Sequence, residues 1–251
     1  MLFVTSCNQA DSSNLALADG FAQSKVLPRV YLWAWEREEN LEFIDANKYG
    51  VAFLAQTLVL NGDAVIFRPR RQTLKVAPKT RLIAVTRIET SKFENQPAAL
   101  SDEQRNRIIA LIANTLTTPD VAEIQIDFDA AVSQREFYRS LITELRKKLS
   151  PTVRLSITAL ASFCIGDFWL KEIPVAEAVP MIFRMGADDQ RIKNFLAKGN
   201  DFREPLCQKS YGVALDEPLP ISFKPDRRLF VFNVRAWRES DLKRVPVEYQ
   251  N

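Results

Sequence analysis

The chain has 251 residues, 7 of them glycine and none histidine. Without imidazole there is no Ser-His-Asp triad, Cys-His dyad or H-E-x-x-H zinc site, and the glycines never take the spacing of a dinucleotide-binding turn or a P-loop. The 34 basic and 31 acidic residues leave a net charge of +3; they form no stripe for nucleic acid, and no apolar run reaches the roughly 18 residues of a membrane span.

Residues 1–25 are small and polar and read as a leader or tether, ahead of one domain over residues 26–251. Val4-Thr5-Ser6-Cys7 resembles a bacterial lipobox, which makes Cys7 a candidate for lipidation and a possible lipid anchor the only predicted link to a membrane. It lacks the positive n-region and most of the apolar h-region of a signal peptide. The expected location is extracytoplasmic, periplasmic or membrane-anchored. Cys164 and Cys207 either pair there as a disulfide or stand as two buried thiols. No C-x-x-C pair is present.

The first predicted strand is 30–35, followed by a charged stretch at 36–47 that is either helix or loop. A strand at 51–60 meets Asn61-Gly62, a turn into a hairpin strand at 64–67. After a strand at 81–89, Ser101 and Gln104 predict a capping box opening a helix through about Leu116. Then come a strand at 121–128 and a helix at 133–149. That helix opens on Ser133 and Glu136 and buries Phe137, Leu141, Leu145 and Leu149. Strands follow at 154–160 and 178–185, a short helix at 188–197, and strands at 211–215 and 229–234. Setting the hairpin strand aside, eight strands alternate with helical stretches. This pattern predicts an α/β fold, a single (β/α)8 TIM-type barrel with some helices shortened, although a doubly wound open sheet would give a similar string.

In such a barrel, chemistry belongs at the C-terminal strand ends. Strand alternation puts Gln125, Asp127 and Asp129 on one face and Ile124, Ile126 and Phe128 on the other. Aspartates at i and i+2 lie roughly 6 to 7 Å apart at Cα. In a partly desolvated mouth their repulsion separates their pKa values into an acid and a base, the pair that glycoside hydrolysis needs. Glu89 is a further carboxylate, on the same face of its strand as Arg87. Trp33 and Trp35 are candidate sugar platforms, Arg184 a candidate either to hold an aspartate ionised or to bind a substrate carboxylate or hydroxyl, and Asn233 and Arg235 candidate substrate contacts from the last strand. Asp127, Asp129 and Glu89 could also hold Mg²⁺ or Ca²⁺, although neither a metal nor a cofactor is the expectation.

The strings VYLWAWER (30–37), EIQIDFDA (123–130), LSITALASFC (155–164) and VPMIFRMG (179–186) resemble a bacterial domain-of-unknown-function family with a predicted glycosidase-like (β/α) barrel. The resemblance implies a barrel in an exported bacterial protein, with Asp127, Asp129, Arg184, Trp33 and Trp35 inside the matching blocks. The Asp-Phe-Asp unit also looks like the D-x-D of chitinase-type barrels. Those place a catalytic glutamate two residues after the second aspartate, where this chain has Ala131. A substrate-assisted chitinase is therefore not implied. The expected function is hydrolysis of a polysaccharide or cell-envelope glycan through the carboxylate pair. The alternative is a glycan-binding or envelope-assembly lipoprotein without catalysis. Nucleic acid is not an expected partner, and the oligomeric state is not legible.

Overall fold

The computed structural model describes residues 27–91, 97–217, 219–224 and 226–249; Cys7 and the leader lie outside them. The elements in chain order are β1 (Val30–Ala34), β2 (Glu39–Leu41), β3 (Tyr49–Asn61), β4 (Ala64–Pro69), β5 (Leu74–Val76), β6 (Leu82–Thr90), α1 (Asp102–Asn114), β7 (Val121–Asp127), α2 (Arg135–Lys148), β8 (Arg154–Leu160), β9 (Glu177–Met181), α3 (Asp189–Ala197), β10 (Ser210–Ala214) and β11 (Arg228–Phe232). Strands β1, β3, β6, β7, β8, β9, β10 and β11 pair in that order, all parallel, and β11 returns to β1. The result is the closed eight-stranded barrel that the sequence predicts. No helix among the described residues is long and apolar enough to cross a membrane.

Parallel strands covered on both faces read as unbroken apolar runs, and here the outward set packs against helices and loops. Ile124 and Ile126 of β7 meet the α2 side chains Phe137, Leu141 and Leu145 in the outer core. The inward set builds the barrel's interior in layers. Tyr31, Trp33, Ala52, Ile83, Val85, Val179 and Phe230 form a separate inner cluster. Below it lie Glu123, Glu177 and Arg228, and above it Arg87, Asp127 and Thr158 begin the mouth. Two strand glycines make this filling possible. A Cβ at Gly50 would stand 2.4 Å from the Tyr31 ring, and one at Gly212 would stand 3.2 Å from the Trp33 ring. Tyr31 is wholly buried and stacked on Phe230 at 5.3 Å, so it cannot yield. Gly50→Ala should therefore cost about 1–3 kcal/mol, the usual penalty of overpacking. Urea unfolding checks this, and an unchanged midpoint contradicts the packing described.

Several local expectations are corrected. The stretch 36–47 holds β2, which pairs in parallel with β5 as a small second sheet, a pairing absent from the sequence reading. β3 carries a bulge between Leu54 and Gln56. Beyond the bulge its parity reverses, and Gln56 turns outward to donate to Thr86 (2.9 Å) and the Leu111 carbonyl (3.1 Å). Ser101 does cap α1, but Gln104 reaches past it to accept from the Leu100 amide. Ser133 caps nothing. It lies inside a 3₁₀ turn, Val132–Gln134, whose Gln134 accepts from the Ala131 amide at 2.8 Å. β9 stops at Met181 rather than 185, because Arg184 and Gly186 take positive φ (51° and 60°) that an extended strand cannot hold. Cys164 and Cys207 are bonded as a disulfide with Cα atoms 5.8 Å apart, which resolves the two alternatives for them.

Candidate functional site

A cavity of about 340 Å³ opens at the C-terminal ends of the strands. Its floor and walls include Trp33, Arg87, Asp127 and Thr158, and its rim includes Trp35, Asp129, Phe183 and Phe232. Strand parity explains why these meet. Asp127 is the last residue of β7 and follows Glu123 and Gln125 on the inner face. Arg87 is its direct Cα neighbour across β6, and Thr158 comes from β8 on the other side.

Asp127 is only 5% exposed. Its Oδ1 accepts from the Thr158 hydroxyl at 2.7 Å, and its Oδ2 faces the Arg87 guanidinium at 3.2 Å. Arg87 also holds Glu89 at 2.8 Å and lies over the Trp35 ring at 5.7 Å. Burial works against the charge on Arg87, but Asp127, Glu89 and Asp129 outweigh it and hold its pKa above the ordinary value. Asp129 stands at the surface of the mouth two residues past the end of β7, with no hydrogen bond or ion pair to another described residue.

Both aspartates have raised pKa values. For Asp127 the cause is burial, offset in part by Thr158 and Arg87. For Asp129 it is burial of the mouth and then the charge of Asp127, with Arg87 opposing. Two such neighbours titrate as a pair. The donors that favour the ionised form, Thr158 and Arg87, converge on Asp127 rather than on Asp129. Both shifts are upward from an unfolded-state value of about 3.9, and the folded protein keeps protons that the unfolded chain has lost. Their stabilising contribution is full at acid pH and fades as pH rises through the raised folded values. Asp129→Asn should therefore gain thermal stability relative to wild type as pH climbs from about 4 to 7. Differential scanning calorimetry follows this, and a pH-independent difference contradicts the upward shift.

The structure brings some of the predicted residues together and leaves others apart. Asp127, Asp129, Trp33, Trp35 and Arg184 all line the cavity. Glu89 does not; it lines an adjoining groove that shares Arg87, Asp127 and Asp129 with the cavity. Trp33 is no open platform: it is 3% exposed, and its indole N–H donates to Gln125 at 3.1 Å, so it plugs the barrel beneath the mouth. Trp35 is half-buried and meets Phe232 edge-on at 6.3 Å. Arg184 is not the partner of the aspartates. Its positive-φ turn aims it at Asp216 (3.6 Å) and Glu217 (3.9 Å), over the Phe232 ring. Asn233 and Arg235 also leave the mouth, because β11 ends at Phe232 and the parity extrapolated past it fails. Asn233 is buried and donates to Asp241 at 3.1 Å, and Arg235 clamps the same carboxylate at 2.6 Å. No group of three or more acidic or cysteine side chains among the described residues is placed to hold a metal ion, and Arg87 stands between Glu89 and Asp127.

The sequence reading also leaves out several groups of the mouth. Thr158 is an ordinary strand residue until register sets it beside Asp127, and Arg87, read from the sequence only as the neighbour of Glu89, is set there too. Phe183 and Phe232, stacked at 5.6 Å and 7° between planes, form the aromatic wall. Ala131, which replaces the glutamate of the chitinase-type pattern, does not line the cavity.

No family model and no curated protein matches the chain. Among solved structures it is similar to the chitinase domain of the spore coat protein CotE from Clostridium difficile, at 12% identity over 89% of this chain and 68% of that one, with a TM-score of 0.43. The functional reading below rests on the residues of the mouth.

Proposed function

We propose that the mouth of this barrel hydrolyses glycosidic bonds in a polysaccharide or cell-envelope glycan, with Asp129 as proton donor and Asp127 as the ionised partner. The observation that carries this is two carboxyl groups of raised pKa side by side at the C-terminal strand ends, beneath an aromatic wall. Protonated Asp129 gives its proton to the glycosidic oxygen as the bond to the anomeric carbon breaks. Asp127, fixed by Thr158 and Arg87, stabilises the positive charge that develops on the sugar ring. Water adds to the anomeric carbon and passes its proton to a solvent-facing carboxylate, for which Glu89 stands nearest to Arg87. Trp35, Phe183 and Phe232 offer ring faces and edges to the sugar. The four sequence blocks that resemble a glycosidase-like barrel family support the same reading, as does the exported location suggested by the Cys7 motif; a disulfide between Cys164 and Cys207 is at home in that location.

One observation favours a second reading, a barrel that binds glycan without cleaving it. Both oxygens of Asp127 are already engaged, by Thr158 and Arg87. Release of reducing ends from a panel of soluble polysaccharides separates the two. Release by wild type supports hydrolysis, whereas saturable binding with no release over long incubation assigns the mouth to recognition alone.

A further inference from the structure

The cations that look scattered along the chain are gathered by the fold at the opposite end of the barrel. A depression of about 780 Å³ there is lined by Arg29, Arg154, Lys209, Lys224, Arg227 and Arg228, against one acidic lining residue, Asp226. All of these cations except Lys224 lie at or just before the first residue of a strand, and Lys224 lies in the loop that leads into β11, which places the depression on the N-terminal face, away from the candidate site. Four separate segments supply them, so their convergence belongs to the fold and not to any run of sequence.

Some of this charge is already used. Arg228 pairs with Glu123 at 3.0 Å and with Glu177, and Arg154 lies 3.5 Å and 3.7 Å from the same two carboxylates. Lys224 and Arg227 share Asp201, at 3.0 Å and 2.6 Å. Arg29 and Lys209 are different. Arg29 rests its guanidinium on the Tyr249 ring at 4.9 Å, Lys209 donates to the Ala176 carbonyl at 2.9 Å, and neither meets a carboxylate among the described residues. Both are exposed. Arg227 is likewise stacked, over Tyr211 at 5.0 Å. On Arg29 the stacking fixes the guanidinium plane while leaving its N–H edge free, the form in which arginine receives oxyanions, whereas the Arg227 edge is taken by Asp201. A further donor is left over beneath: Ser210, wholly buried on the inner face of β10 beside Arg228, has a hydroxyl with no hydrogen-bond partner.

We infer that this depression binds a phosphoryl oxyanion, with Arg29 and Lys209 as the unpaired cations that meet it and the stacked Arg227 and buried Arg228 setting the surrounding positive potential. A multiply charged group is needed to draw on several cations at once, and the volume admits a phosphorylated molecule larger than a bare ion. The group could belong to a soluble phosphate compound or to a phospholipid headgroup.

The test titrates the full chain with inorganic pyrophosphate by calorimetry, at constant ionic strength set with chloride. Saturable binding is expected, weakened at least about tenfold when Arg29→Ala and Lys209→Ala are combined. Both side chains are exposed, and an unchanged far-UV spectrum and melting temperature confirm that the variant is folded. Sedimentation with phosphatidylglycerol vesicles but not phosphatidylcholine vesicles, lost in the same variant, assigns the phosphoryl group to a lipid; pyrophosphate binding without sedimentation assigns it to a soluble compound. Absence of saturable binding in both arms, or binding indifferent to the double substitution, overturns the inference. Neither readout depends on what the mouth of the barrel does.

Discussion

Asp129→Asn should lower turnover of the preferred glycan by about 10²–10⁴-fold, the span that a positioned general acid contributes. kcat and kcat/KM should fall together, because the proton is given only in the transition state. The fold should tolerate the change, since the Asp129 carboxyl has no hydrogen bond or ion pair to lose among the described residues. Asp127→Asn should reduce activity as well, but by another route. An amide cannot match both the Thr158 donor and the Arg87 cation, and Arg87 is left facing a neutral group at the mouth. That variant should lose activity and also about 1–3 kcal/mol of stability. The contrast between them is the informative result. If Asp129→Asn turns over substrate at the wild-type rate, the proton donor is elsewhere. If both variants unfold, the aspartates are structural.

The second large effect lies at the barrel's other end. Arg228 is buried among Glu123 and Glu177, with Tyr31 donating to Glu123 at 3.3 Å and Arg81 reaching it at 3.3 Å. Burial alone would lower the Arg228 pKa, but Glu177 and Glu123 more than reverse that and hold it well above the usual arginine value. Arg228→Met would strand two buried carboxylates with only the peripheral Arg81 and Arg154, and should cost about 3–5 kcal/mol. That is a large part of the roughly 5–15 kcal/mol that holds a domain of this kind folded. Combining Glu123→Gln and Glu177→Gln with it should recover part of the loss, because burying a neutral group costs less than burying an unpaired charge. Denaturant unfolding gives both values. A triple variant less stable than Arg228→Met alone would mean that shape, not charge, dominates this layer.

The strands were the most legible part of the sequence. A parallel strand covered by helices on its outer face keeps that face apolar, and the outward residues of β7, Ile124 and Ile126, show it while the inward ones are polar. Parity then placed Asp127 on the inner face, since Ile124 and Ile126 could only face the helices. Parity failed wherever the strand itself changed. The bulge beyond Leu54 turns Gln56 outward, the positive-φ turn at Arg184 swings its guanidinium onto Asp216 and Glu217, and the end of β11 at Phe232 releases Asn233 and Arg235 to Asp241. The partner of Asp127 was hidden for a different reason. Arg87 lies 40 residues earlier, and only the register of β6 against β7 sets it alongside. Trp33 shows the converse problem, because composition cannot distinguish an exposed ring from one that plugs a barrel.

The most direct test of a glycan site at the mouth is a crystal structure of the Asp129→Asn variant soaked with an oligosaccharide mixture. The expected result is a sugar ring against Trp35, Phe183 and Phe232, with a glycosidic oxygen at hydrogen-bonding distance, about 3 Å, from the side chain at position 129. A mouth that stays empty while sugar binds elsewhere, or a sugar whose glycosidic oxygen lies out of reach of that side chain, would contradict it.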